Sequence, residues 1–314
     1  MQGSANPVAM SRPAKRTDAA RTAFVAGAAV FVVIATLALL PLTGPLPLVS
    51  ALAAGLLYLV SHLLRAFRLA ILSVEMLGVS GRTTVLVHFA TAPISLALPL
   101  KLGELTRLYE LWRLSGTLVY SVVVLLVDRM YDSLFLVPLL AILLLQNDAS
   151  PALIVLTCVA AFVPLAVIVV GPRLMTEVQR YVVAHHNDAG TLGTLRGIDA
   201  VRRVVTHAAR VARQQAPTLV VLSLLIWLLE VLVCLILVSA IGAAAESAFD
   251  LLGSRLTATW WTEGSDPLVQ AVIALTLIAT LLPWPLAIAL YFGRRLAATG
   301  ARTAGPKRQE RVGW

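Results

Sequence analysis

The sequence predicts an all-α polytopic membrane protein with about six transmembrane helices and one re-entrant helical hairpin, both termini facing the cytoplasm. Three observations predict it. The 314-residue chain is 59% hydrophobic and only 13% charged, against about 25% charged residues in a soluble domain. Several apolar runs reach the roughly 20 residues needed to cross a hydrocarbon core. Lysine and arginine gather in the segments between alternate runs, as the positive-inside rule requires. The net charge of +9 therefore reads as cytoplasmic flanks beside anionic lipid, not as a nucleic-acid surface.

Residues 1–21 form a basic tail with Arg12, Lys15, Arg16 and Arg21, expected to be disordered and cytoplasmic. A single transmembrane domain covers 22–295, and a second basic tail, 296–314, is also expected to be disordered. The first span, 22–42, is too long for a cleaved signal peptide. After the turn Thr43-Gly44-Pro45, the second span covers 46–64 and ends at Arg65 and Arg68, one helical turn apart. Residues 69–82 return to the interface. The run 83–100 is interrupted by Pro93 and Pro99 and has basic flanks on both sides. Proline breaks helix, so this run is expected to enter from the cytoplasm and go back.

Residues 101–116 read as a short charged helix in which Glu104, Arg107, Glu110 and Arg113 alternate in sign at i,i+3. The next span lies within 117–145, and the fourth covers 152–170, kinked at Pro164 and ended by Gly171-Pro172. Segment 173–216 is arginine-rich. Its Ile198, Val201, Val204, Val205, Ala208 and Val211 recur at helical spacing, which suits an amphipathic helix on the inner leaflet, after a loop near 187–197, with a plain cytoplasmic connector as the alternative. The fifth span, 218–241, carries Trp227 and Glu230. In the segment that follows, Trp260 and Trp261 suit an interfacial anchor. The last span, 268–292, is interrupted by Pro283 and Pro285. All but Arg129 and Arg255 of the 25 basic side chains then face the cytoplasm.

The chemistry is expected where charge enters the apolar runs. Asp128, Arg129 and Asp132 lie inside one span, and each such charge at mid-bilayer costs roughly 2.5–3.5 kcal/mol. They must pair, face a polar hollow, or lie near the interface. Glu230 also needs a partner, either Arg129, Arg65 or Arg68, or else it is protonated and held by a local hydrogen bond. A helix starting beyond Pro99, with Lys101, Glu104 and Arg107 in its first turns, would aim free N–H groups at an anion such as phosphate. The plainer alternative is an ion-pair set that fixes helix packing. Cys158 and Cys234 sit in apolar runs and read as packing residues. No nucleotide loop, nucleophile triad or metal-ligand spacing occurs, so no enzyme activity, cofactor or metal is expected.

Three ordered motifs carry a family resemblance: Leu64-Arg65-Ala66-Phe67-Arg68, then Pro99-Leu100-Lys101-Leu102-Gly103-Glu104-Leu105-Thr106-Arg107, then Val127-Asp128-Arg129-Met130-Tyr131-Asp132. The chain resembles the lysylphosphatidylglycerol synthase transmembrane-region family, the flippase-like domain that forms the membrane part of the multiple peptide resistance factor. Asp128 stands where that family more often has Glu, and Trp227 with Glu230 is similar to a later W-x-x-E feature. The resemblance implies a stand-alone protein of the bacterial cytoplasmic membrane. Its implied task is to translocate an anionic lipid or polyprenyl-phosphate-linked substrate between leaflets. Lysyl transfer is not implied, since no aminoacyl-transferase segment is present in these residues. Substrate contacts are expected from Arg65, Arg68, Arg107 and Arg129, with Glu104, Asp128, Asp132 and Glu230 positioning them or meeting a cationic headgroup. Implied partners are membrane lipids, a lipid-linked glycan, and a glycosyltransferase or other envelope enzyme. Around Leu282-Pro283-Trp284-Pro285-Leu286 the family's second glycine-rich re-entrant motif is missing. An accessory, non-transporting subunit of an envelope lipid or glycan complex is therefore the alternative expectation.

Overall fold

Backbone N–H and C=O groups placed in lipid must be satisfied within their own segment, and helix achieves this. The computed structural model describes residues 14–44, 46–97, 103–145, 151–185, 191–244, 247–248, 251–253 and 267–291, and no strand occurs among them. The helices are α1 (Ala14–Leu39, continued by the 3₁₀ turn Leu40–Thr43), α2 (Leu48–Leu77), α3 (Gly81–Ala97), α4 (Gly103–Ser115), α5 (Leu118–Leu145), α6 (Pro151–His185), α7 (Thr191–Gln214), α8 (Ala216–Ala240) and α9 (Pro267–Leu281). After a turn at Leu282 and Pro283, residues 284–291 are again helical.

Five segments among the described residues are long and apolar enough to cross a membrane: Thr22–Thr43, Leu48–Leu77, Thr157–His185, Ala216–Ala240 and Pro267–Tyr291. Helix α5 is also long, at 28 residues, but Asp128, Arg129 and Asp132 interrupt its apolar character.

Helix α2 is the hub. It packs against α8, α3, α5 and α9. Its N-terminal half builds one core with α8 and α9, in which Ala54, Tyr58, Val233, Leu237 and Val272 are buried. Its C-terminal half builds a second, in which Leu69 and Leu72 meet Leu111, Val124, Val127 and Ala208. Phe31, Leu48, Val49, Phe162 and Leu228 point outward, as lipid-facing positions do.

The ends of α2 and α4 have local causes. Gly78 takes a left-handed φ of 64°. Its N–H donates to Val74 O at 3.2 Å, while Val79 N–H donates to Ser73 O at 3.3 Å. This double closure satisfies carbonyls the helix leaves open. Gly116, at φ 73°, ends α4 in a similar way, donating to Trp112 O at 2.7 Å.

Several expectations are corrected. Residues 14–21, expected in a disordered tail, form the N-terminal turns of α1; residues 1–13 and 296–314 lie outside the described residues. Helix α2 does not end at Arg65 and Arg68 but runs two turns further, because Arg68 is neutralised inside the bundle. Pro93 does not break its helix: α3 continues through it to Ala97. Pro99 and Lys101 lie outside the described residues. Gly171-Pro172 does not stop α6, which holds both Pro164 and Pro172 inside 35 residues. One lost N–H costs a helix less than its neighbours can supply, and α7 packs along this stretch with Val205 against Gly171. The loop expected near 187–197 is helical from Thr191 onward, with 186–190 outside the described residues. Only the C-terminal part of the apolar face of α7 is buried by protein, where Ala208, Ala209, Val211 and Ala212 join the second core, while Val201 stays 51% exposed. Trp260 and Trp261 lie outside the described residues.

Helix α4 folds back along α3. Thr91 meets Arg107, and Gly103 lies against Ser95, the register of two helices running antiparallel. The approach at Gly103 is so close that a Cβ there would sit 2.1 Å from Ser95 Cα. Only glycine fits, and this contact sets how α4 is aimed.

Candidate functional site

Helix periodicity assembles the site. On α2, Tyr58, Ser61, His62, Arg65 and Arg68 recur at three- and four-residue steps and share one face. On α5, Asp128 and Asp132 are one turn apart with Arg129 beside them. Helix α8 supplies Ser223 and Glu230, α4 supplies Glu104 and Arg107, and α3 supplies Thr91.

Arg68 is fully buried and sits at the centre. Its Nε donates to Asp128 Oδ1 at 2.8 Å, and its Nη1 donates to Asp132 Oδ1 at 2.7 Å and to Ser223 Oγ at 2.8 Å. Arg129 continues the network, with Nη2 at 3.3 Å from Asp128 Oδ2 and Nη1 at 3.3 Å from Asp132 Oδ2. Its Nη2 also lies 3.2 Å from Glu104 Oε1. Glu104 in turn accepts from Arg107 Nη1 at 3.1 and 3.0 Å, and Arg107 Nε donates to Thr91 Oγ1 at 3.3 Å. Beside this network, Arg65 Nη2 donates to Glu230 Oε1 at 3.0 Å, and Ser61 Oγ donates to the same oxygen at 2.9 Å. Arg65 is thus the partner of Glu230.

The eight residues singled out in the sequence are therefore gathered in one region: Arg65, Arg68, Glu104, Arg107, Asp128, Arg129, Asp132 and Glu230. Four guanidiniums meet four carboxylates. Charges that would each be costly against acyl chains are paired inside protein. Burial opposes the charge of Arg107 and lowers its pKa, an effect Glu104 counters and Arg129 reinforces.

Burial is graded across the cluster. The side chains of Arg68, Asp128, Arg107 and Glu230 are 4% exposed or less, whereas Arg129 is 34%, Glu104 23% and Arg65 22% exposed. Arg65, Glu104 and Arg129 form an accessible rim over a closed floor. Three guanidinium nitrogens, Arg65 Nε, Arg68 Nη2 and Arg129 Nε, are buried without a hydrogen-bond partner among the described residues. Unsatisfied buried donors cost about 1–3 kcal/mol each, so the region has unused capacity for an acceptor-rich group. The expected free N-terminus of α4 offers less: its first turn is pressed onto α3 at Ser95.

Sequence reasoning missed Tyr58, Ser61, His62, His88, Thr91 and Ser223. The first three were detectable, since they repeat the spacing of Arg65 and Arg68 on α2. His88 was not, because nothing local signals that α3 lies over that face. Glu110, from the alternating charged stripe of α4, accepts a hydrogen bond from Tyr291. Trp227 is buried, in keeping with a packing role.

The fold and the site define a class: an all-helical chain compatible with membrane insertion, holding a cluster of arginine–carboxylate pairs among its helices. No family model, no curated protein and no solved structure matches the chain.

Proposed function

We propose that this is an integral protein of the bacterial cytoplasmic membrane that receives the phosphate of an anionic lipid, or of a polyprenyl-phosphate-linked substrate, and passes it between leaflets. The observation that carries this reading is the rim. The side chains of Arg65 and Arg129 are partly exposed, and their Nε donors, buried like Nη2 of Arg68 beneath them, have no hydrogen-bond partner among the described residues. A phosphate offers several acceptors to such donors at once. The motif resemblance to the flippase-like family points the same way, with α3 and α4 as its re-entrant hairpin and α5 as the sixth span. Leaflet exchange of a fluorescent phosphatidylglycerol in liposomes tests it. Arg129→Gln should slow exchange about tenfold or more, the worth of one charged hydrogen bond. An unchanged rate in a folded variant removes the assignment.

The exact charge balance of the cluster favours a second reading, an accessory subunit of an envelope lipid or glycan complex whose ion pairs hold helices together. Stable co-purification with a glycosyltransferase, together with no leaflet exchange by the isolated protein, would support it.

A further inference from the structure

A buried chain of titratable groups lies on the face of α2 that carries the arginines, and the cluster does not use it. Tyr58, His62 and His88 are 1%, 5% and 3% exposed. Tyr58 Oη lies 3.0 Å from His62 Nε2, and His62 Nδ1 lies 3.4 Å from His88 Nε2. The outer nitrogen, His88 Nδ1, is buried with no partner among the described residues.

Only two neutral arrangements satisfy this chain. If Tyr58 donates to His62 Nε2, then His62 Nδ1–H donates to His88 Nε2, and His88 Nδ1 carries a hydrogen. If His62 Nε2–H donates to Tyr58, the order reverses, and His88 Nδ1 presents a lone pair. In the second arrangement a proton added at His88 Nδ1 makes an imidazolium. Its Nε2–H can pass to His62 Nδ1, leaving the positive charge on His62 in contact with the Tyr58 oxygen. One proton is taken from water, and nothing is oxidised or reduced.

The surroundings decide when this occurs. Arg65 on α2, Arg107 on α4 and Arg129 on α5 all act electrostatically on His88. Glu230 on α8 faces Arg65, and α9 carries no ionisable residue. Glu104 on α4 pairs with Arg107 and Arg129, and Asp128 on α5 with Arg129, yet the charges that act on His88 are those of the guanidiniums and of His62, which oppose a further cation. The link to the arginines is also short. Thr91, one turn after His88 on α3, accepts from Arg107, and Arg65 is one turn from His62.

We propose that the His62–His88 pair is a proton-binding site that fills when a phosphate-bearing anion enters the arginine cluster, so that proton and anion are held together. This rests on the anion-binding reading of the cluster. By linkage, the anion raises proton affinity by the same factor that the proton raises anion affinity.

The test uses the full chain in phosphatidylcholine nanodiscs. Dihexanoylphosphatidylglycerol and inorganic phosphate serve as separate probes, to distinguish a lipid headgroup from free phosphate. Histidine titration is followed by ¹⁵N NMR between pH 5 and 8. A bound probe should raise the midpoint of the pair by about one pH unit, and the probe should bind about tenfold more tightly at pH 5.5 than at pH 8. His62→Gln, or His88→Asn if the first variant does not fold, should still bind at pH 8 but lose the pH dependence. Binding without any shift of the histidines, or pH dependence that survives both variants, overturns the proton site alone. If neither probe binds at any pH, the anion reading fails and the coupling falls with it.

Discussion

Arg129 on α5 and Glu104 on α4 meet at 3.2 Å, joining the charged helix that folds back on α3 to the charges inside the apolar run. That contact turns two separate polar segments into one region. Arg129 is about one-third exposed while its partners Asp128 and Asp132 are largely buried, so it is the member best placed to exchange a protein carboxylate for a ligand.

The rim and the floor should therefore respond differently to substitution. Arg129→Gln should alter stability by no more than about 1 kcal/mol, as for other partly exposed ion pairs. Thermal unfolding in detergent measures this, alongside the exchange assay.

Arg68→Met removes the only fully buried guanidinium among the described residues and leaves Asp128 and Asp132 without their shortest partner. A loss of about 3–5 kcal/mol is expected. Adding Asp128→Asn and Asp132→Asn should recover part of it, because the uncompensated charge disappears with its partner. No recovery in the triple variant would mean that Arg68 acts through packing instead.

Gly103→Ala should disturb the α3–α4 hairpin more than Gly78→Ala disturbs the end of α2. The first places a Cβ 2.1 Å from backbone. The second meets open space and costs mainly the left-handed φ, about 1 kcal/mol. Unfolding midpoints of the two variants, side by side, give the ranking.

The hairpin also makes a topological prediction. If α3 and α4 enter from one side and return, cysteines placed at Ser80 and Thr117 label from the same face of oriented vesicles. Labelling from opposite faces would make α3 a full span and invert the path beyond it.

Much of this arrangement was legible because charge in an apolar run has few tolerable fates. Arg68, Asp128 and Asp132 had to be paired, and the i,i+3 and i,i+4 spacings already put them on usable faces. The proline-based expectations failed at Pro93 and Pro172 for a physical reason. Proline removes one hydrogen bond and adds a local clash, and packing against α4 or α7 outweighs that. The histidine pair was hidden because His62 and His88 are linked only by tertiary packing. Periodicity reports which face of a helix is polar, but not which other helix will cover it.

The matching of four guanidiniums by four carboxylates has an electrical consequence. A rigid group with zero net charge does no work against the transmembrane voltage when it shifts along the bilayer normal, whereas each unbalanced unit crossing 100 mV is worth about 2.3 kcal/mol. Rigid displacement of the paired cluster is thus indifferent to membrane polarisation, and a bound anion moving with it would make the same displacement voltage-sensitive.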